Sequence, residues 1–187
     1  MKSTNLNKAT LRKADGVVAE QRVYFHIYNR GVNGQEIFTS DDNYSFLTRR
    51  MLEFSRQLNI SVIAYCLMPN HYHVLVEVET RKQASRFVQN LFNSYSQAFN
   101  QQQNRTGTLF IGRAKFKLIE TDEYALQLCS YIHLNPVRAG LVDRPEKWRY
   151  SDYIAWISGK GYDNTGIRFF DSPEQYEDYV DSNLAKG

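Results

Sequence analysis

The chain has 187 residues, a formal net charge of +3, and 42% hydrophobic and 14% aromatic residues. That content is enough to close a core without crosslinks, so the composition excludes a disordered linker and a disulfide scaffold. No run approaches the roughly 20 apolar residues that a membrane-spanning helix needs.

The charge is uneven: residues 1–140 carry +6 and residues 141–187 carry −3. A basic body suits a polyanionic partner, and the acidic end reads as a peripheral tail. Cys66 and Cys129, the two cysteines, sit among apolar neighbours and read as buried thiols in a reducing cytoplasm. MKSTNLNKATLRKADG at the N-terminus has no apolar segment of the kind a secretion signal carries.

Residues 1–20 are polar and aperiodic and read as a flexible arm. VYFHIYNR (23–30) then alternates, with Val23, Phe25 and Ile27 on one side and Tyr24, His26, Tyr28 and Arg30 on the other. That pattern predicts a strand with one buried face. Ser40, Asp41 and Asp42 open a helix whose apolar spacing (Tyr44, Leu47, Met51, Phe54, Leu58) carries it to about Gln57. ISVIAYCLM (60–68) is apolar on both faces and reads as a central strand. Pro69 and Asn70 interrupt it, and HYHVLVEV (71–78) returns antiparallel. A second amphipathic helix follows through Ala84, Phe87, Leu91, Tyr95 and Phe99, then a loop at 101–108 and a strand at RAKFKLIE (113–120). Thr121 caps a third helix, expected to end near Asn135 because Pro136 disfavours helical geometry in the residue before it. WRYSDYIAWISGK (148–160) is aromatic and is expected to pack back on the body. The order predicts an α+β, ferredoxin-like βαββαβ fold with an antiparallel sheet, helices on one face, and an extra C-terminal helix.

His71 and His73 are two apart on a strand, so their imidazoles share a face. Such a pair either converges on one ion or serves packing. Tyr72, Val74, Val76 and Val78 point the other way, into the helix-covered core. In CSYIHLNPVRAG (129–140), Tyr131 and Asn135 lie one helical turn apart on a common face. An amide oxygen is a competent third ligand to a hard divalent ion, and an aligned tyrosine oxygen is a nucleophile when a metal polarises its target. A helical tyrosine also serves core or interface roles. His133 falls about 160° round the helix from Asn135, which makes it a supporting or structural residue. His26 reads in the same way.

YFHIYNRG, AYCLMPNHYHVLVE, GTLFIGRAKFK and YIHLNPVRAGLV, in this order and spacing over about residues 22–156, resemble the single-tyrosine HUH transposases, and within them the REP-associated tyrosine transposases. The resemblance implies that His71 and His73 are the paired metal ligands and that Tyr131 is the nucleophile. It further implies that Asn135 completes the metal site, at a position where some insertion-sequence relatives carry glutamine. The implied metal is Mg²⁺ or Mn²⁺. The implied substrate is single-stranded DNA beside a hairpin, cleaved through a covalent 5′-phosphotyrosine. The catalytic domain is then expected at 21–142, with 143–187 as an extension packing on it. Cations expected at the DNA are Arg113, Lys115 and Lys117 along the fourth strand, Arg81, Lys82 and Arg86 on the second helix, and Arg105, Arg30 and Arg138. The implied protein is cytoplasmic, has no membrane partner, and acts as a monomer or homodimer. An alternative is a non-catalytic ferredoxin-like nucleic-acid-binding module.

Overall fold

In a computed structural model, which describes residues 22–159 and 169–185, the alternation of VYFHIYNR becomes strand β1 (Val23–Arg30). The apolar spacing that follows becomes helix α1 (Asp41–Gln57). Strands β2 (Ser61–Met68) and β3 (His71–Val78) flank the two-residue Pro69–Asn70 turn. Helix α2 (Arg81–Gln102) is capped by the Thr80 hydroxyl, which accepts from the Gln83 amide at 3.1 Å. Strand β4 (Lys115–Ile119) and helix α3 (Asp122–Arg138) complete the unit. The sheet is fully antiparallel in the order β2-β3-β1-β4, as the ferredoxin-like arrangement requires.

α1 and α2 pack on one face of this sheet. The layer between them holds Phe25, Ile27, Leu47, Met51, Val74, Val76, Phe87 and Leu91. Tyr72 is 1% exposed there and stacks on Phe92 with centroids 4.0 Å apart. The alternation of β3 therefore divides as its sequence predicts.

The second face was expected to be bare, and its β2 side is not. α3, the short α4 (Tyr153–Ile157) and α5 (Pro173–Leu184) cover it. Their layer contains Ile63, Cys66, Leu75, Cys129, Ile132, Trp156, Tyr176 and Val180. β2 is also an edge strand rather than a central one. It is apolar throughout because helices bury both faces and residues 148–156 run along its outer edge. Tyr65 N donates to Asp152 Oδ1 at 2.7 Å and Leu67 N to Tyr150 O at 2.9 Å. The indoles of Trp148 and Trp156 donate to Leu67 O (3.0 Å) and Ile63 O (3.2 Å). The aromatic 148–160 stretch thus packs back on the body as far as Gly159, the last residue described there.

α3 continues past its expected end to Arg138, with Pro136 inside the helix and buried. Packing of Leu134 and Pro136 against the body outweighs the preference of a pre-proline residue for extended backbone. The acidic end, for which the sequence suggested no element, supplies α5, whose Tyr176 and Val180 are buried. The arm expected at 1–20 lies outside the described residues. Cys66 and Cys129 are free and buried. Among the described residues, no helix is long and apolar enough to cross a membrane.

Candidate active site

β1 is followed by Gly31, whose amide donates to Asn70 O at 2.8 Å. A Cβ on Gly31 would lie 2.2 Å from Gln35 O, so only glycine allows this approach. The contact fixes the turn from which β3 starts. Asn70 Oδ1 meets His71 Nδ1 at 2.7 Å, and a neutral His71 donates that bond. His73 Nδ1 and His26 Nε2 are 2.9 Å apart. When His73 is the donor of that pair, both histidines of β3 keep Nε2 as a lone pair. Their rings stand edge to face with centroids 5.2 Å apart. Tyr28, paired with His73 across the β1–β3 ladder, stacks on His26 at 4.8 Å and on His73 at 5.9 Å.

Electrostatics favour neutral imidazoles. Burial, with a smaller push from Lys117, lowers the His26 pKa to about 4. Burial, with repulsion from His26 and His71, lowers His73 to about 3. His71 is also lowered by burial, against an opposing hydrogen bond in which the Asn135 side-chain oxygen accepts. Near neutral pH all three rings are uncharged, the form that binds metals.

α3 brings its residues to the same place. Thr121 caps it by accepting from the Tyr124 amide at 3.1 Å. Tyr131 is 41% exposed, and its ring meets that of His73 edge to face at 5.7 Å and 85°. Asn135 donates its amide N–H to Tyr131 O at 3.0 Å, which leaves the side-chain oxygen for the His71 side. The Arg138 guanidinium lies 5.4 Å from the centre of the Tyr131 ring. His133, on the opposite side of the helix, is fully buried between Tyr176 OH on Nδ1 and Asp152 Oδ1, 2.9 Å from Nε2. It has the structural role, and it ties the far face of α3 to α5 and to the segment preceding α4.

These residues fit a hard divalent ion in kind: two neutral imidazoles and an amide oxygen beside one of them. Among the described residues, no three His, Cys, Asp or Glu side chains gather around a metal-sized space. The amide beside the histidine pair is that of Asn135.

Two grooves flank the His73–Tyr131 contact. One, of about 470 Å³, lies against His26, Tyr28, Lys117, Tyr124 and Tyr131. The other, of about 510 Å³, lies against Tyr28, Arg30, His71, Ile111 and Lys115. Of the cations expected at DNA, Arg30, Lys115, Lys117 and Arg138 stand around the histidine–tyrosine pair. Lys117 hydrogen-bonds the Tyr124 hydroxyl. Arg113 precedes β4 and does not continue the Lys115–Lys117 stripe. It lines a different groove, together with Arg81. Lys82 and Arg86 face a groove between α1 and α2, beside Arg50 and away from the histidines. Arg105 is half-buried and turned into its own loop, donating to Thr108 O at 3.2 Å. Sequence reasoning missed Asn70, Tyr28 and Tyr124. Tyr28 was within reach, because strand alternation had already put it beside His26.

A ferredoxin-like sheet whose paired strand histidines meet a tyrosine on a late helix defines a class, the tyrosine transposases of HUH type. Residues 19–135 match the family described as Transposase IS200 like, and the chain belongs to that family. The solved structure of a REP-associated tyrosine transposase bound to a REP hairpin shares the fold, with a TM-score of 0.63 at 17% identity over 76% of this chain and 83% of that one. A transposase of Deinococcus radiodurans R1 aligns with a TM-score of 0.45 at 16% identity, over 65% of this chain and 95% of that one. No curated protein matches the chain.

Proposed function

We propose that this transposase cleaves and rejoins single-stranded DNA beside a hairpin through a covalent 5′-phosphotyrosine on Tyr131. The observation that carries this reading is the edge contact between Tyr131 and His73 within one chain. It sets a phenol with 41% exposure next to the imidazole of His73, whose ring in turn meets that of His71 edge to face.

A Mg²⁺ or Mn²⁺ ion held by His71, His73 and Asn135 would supply Lewis acidity toward a phosphate oxygen. Tyr131 Oη attacks the phosphorus in line and loses its proton. The P–O3′ bond breaks, a proton goes to the departing 3′-oxygen, and a 5′-phosphotyrosine remains. The link keeps the phosphodiester bond energy, so a 3′-hydroxyl of another strand reverses the step without a nucleotide cofactor. Asn135 keeps the helix turn that carries Tyr131 in register with His71, through its bonds to both. His26 holds the His73 ring and its tautomer. Arg30, Lys115 and Lys117 line the two grooves and receive the flanking phosphates, while Arg138 stands over Tyr131. Because one chain holds both halves of the site, a monomer suffices. The reaction takes place in the cytoplasm, where DNA is available.

The test is a labelled hairpin oligonucleotide with an unpaired flank, incubated with protein and Mn²⁺. A covalent protein–DNA species on a denaturing gel is expected, absent without metal and absent from Tyr131→Phe. Cleavage that persists in Tyr131→Phe would mean that water attacks. Binding without any adduct in the wild-type protein would make the chain a binding module.

A further inference from the structure

One groove adjoining the site and not used by the proposed function holds Arg81 and Arg113. It has a volume of about 630 Å³ and opens between α2 and the 110–116 segment, on the helix-covered side of the sheet. Its walls are of two kinds. Phe110 and Phe116 are partly exposed aromatic rings, and the Arg81 guanidinium lies 5.8 Å from the centre of the Phe116 ring. Gln89 and Asn93, one turn apart on α2, are exposed amides that make no side-chain hydrogen bond among the described residues. Arg81 and Arg113 have no carboxylate partner among the described residues, and no residue lining the groove is acidic.

The groove is continuous with the site. Asn29 and Tyr72 line both it and the groove that contains His71 and His73. The chain between the two, Ile111 to Lys115, crosses the sheet edge. Gly112, at φ +56°, makes the turn, so Arg113 faces one groove while Lys115 faces the other. Ile111 stands at the rim, 52% exposed.

Cations without partners attract phosphate. Exposed phenyl rings stack bases, and free amides pair with base edges through one donor and one acceptor each. A nucleotide uses all three, whereas a membrane or an acidic peptide would use the cations and leave the aromatic floor or the amides unused. We propose that this groove is a nucleobase subsite, taking an unpaired nucleotide of the substrate strand that has passed round the sheet edge from the histidine site. The inference rests on the single-stranded DNA reading above. It adds base readout, by Gln89 and Asn93, to the phosphate contacts proposed above for Arg30, Lys115 and Lys117.

The test uses Tyr131→Phe protein and a hairpin oligonucleotide with 2-aminopurine at successive positions of its unpaired flank. One or two adjacent positions are expected to change emission at least about twofold on binding, and the change is expected to vanish in Phe116→Leu. An abasic residue at the responding position is expected to weaken binding about ten- to a hundredfold, the range of one stacked base. The Gln89→Ala/Asn93→Ala double variant, whose changes lie on the exposed side of α2, is expected to lose discrimination between bases there. DNA that binds with an equal response at every flank position, or with a response indifferent to Phe116 and to the two amides, overturns the subsite. Adduct formation by wild-type protein with Mn²⁺ scores the catalytic reading separately, so either can fail alone.

Discussion

On the α1–α2 side of the sheet the buried layer is aliphatic and aromatic, with Asn43 and Ser55 of α1 the buried polar side chains beside it. On the α3 side, histidines 26, 73 and 133, Asp152, Ser130 and Ser151 are buried among the apolar residues. The first layer is held by shape and area, and its side chains have close apolar substitutes. The second is held by directional bonds, each of which fixes the orientation of a ring: His133 between Asp152 and Tyr176, His73 against His26, His71 against Asn70. Burying polar groups this way is costly unless every bond is made. The arrangement is found where ring orientation matters for chemistry.

This contrast is sharpest at Tyr131. Tyr131→Phe keeps the ring, its contact with His73 and the packing of α3, and removes only the hydroxyl. We expect covalent adduct to fall by on the order of a thousandfold or more, as for loss of an enzymic nucleophile, with unchanged thermal stability and unchanged DNA affinity by anisotropy.

A pair of variants separates the two layers. Phe87→Ala opens a cavity in the apolar layer and is expected to cost about 3–5 kcal/mol. His133→Ala leaves Asp152 and the Tyr176 hydroxyl each short of a partner and is expected to cost about 3 kcal/mol. Urea unfolding measures both. Below the unfolding range, Phe87→Ala should retain its cleavage rate. His133→Ala should lose rate as well, because the far side of the tyrosine helix is no longer tied down. Equal rates in the two variants would remove any functional difference between the layers.

His26→Ala deletes the partner that sets the His73 tautomer. Metal affinity, read by titration calorimetry with Mn²⁺, is expected to fall about 10–100-fold with little change in fold. In the metal-free protein, the lowered pKa values also govern acid stability. Below the ordinary value of 6.5 the unfolded chain takes up protons that His26 and His73 resist until about 4 and about 3. Stability is therefore complete above pH 6.5 and declines as pH falls through that window, by up to about 1.4 kcal/mol per pH unit for each histidine. Denaturation midpoints at pH 7, 6 and 5 measure the slope, and His26→Gln should remove roughly half of it. The smallest effect is expected at Lys115. Its replacement by alanine should weaken single-strand binding and reduce the salt slope of log affinity by about 0.7, one phosphate's share.

Much of this was legible in the chain. Period-two alternation in β1 and β3 assigned both faces correctly, and helical spacing located α1, α2 and α3, with the end of α1 at Gln57 as expected. The meeting of His73 with Tyr131 was inferred from two short motifs 58 positions apart in the chain. What escaped was tertiary. β2 reads as central because it is apolar all through, and no local pattern reveals that Trp148, Asp152 and Trp156 would cover its edge. Arg113 looks continuous with Lys115 and Lys117 until Gly112 turns the backbone. Pro136 reads as a stop, yet packing carries the helix beyond it.

The coverage of β2 has a consequence for assembly. Residues 63, 65 and 67 carry the outward row of amides and carbonyls on that strand, and indoles, a carboxylate and the Tyr150 carbonyl occupy it. A neighbouring molecule therefore finds no open ladder there. Two copies of this chain cannot merge their sheets through β2 without first peeling away the segment that also fixes His133. Aggregation by strand addition is blocked on that flank by the same residues that steady the tyrosine helix.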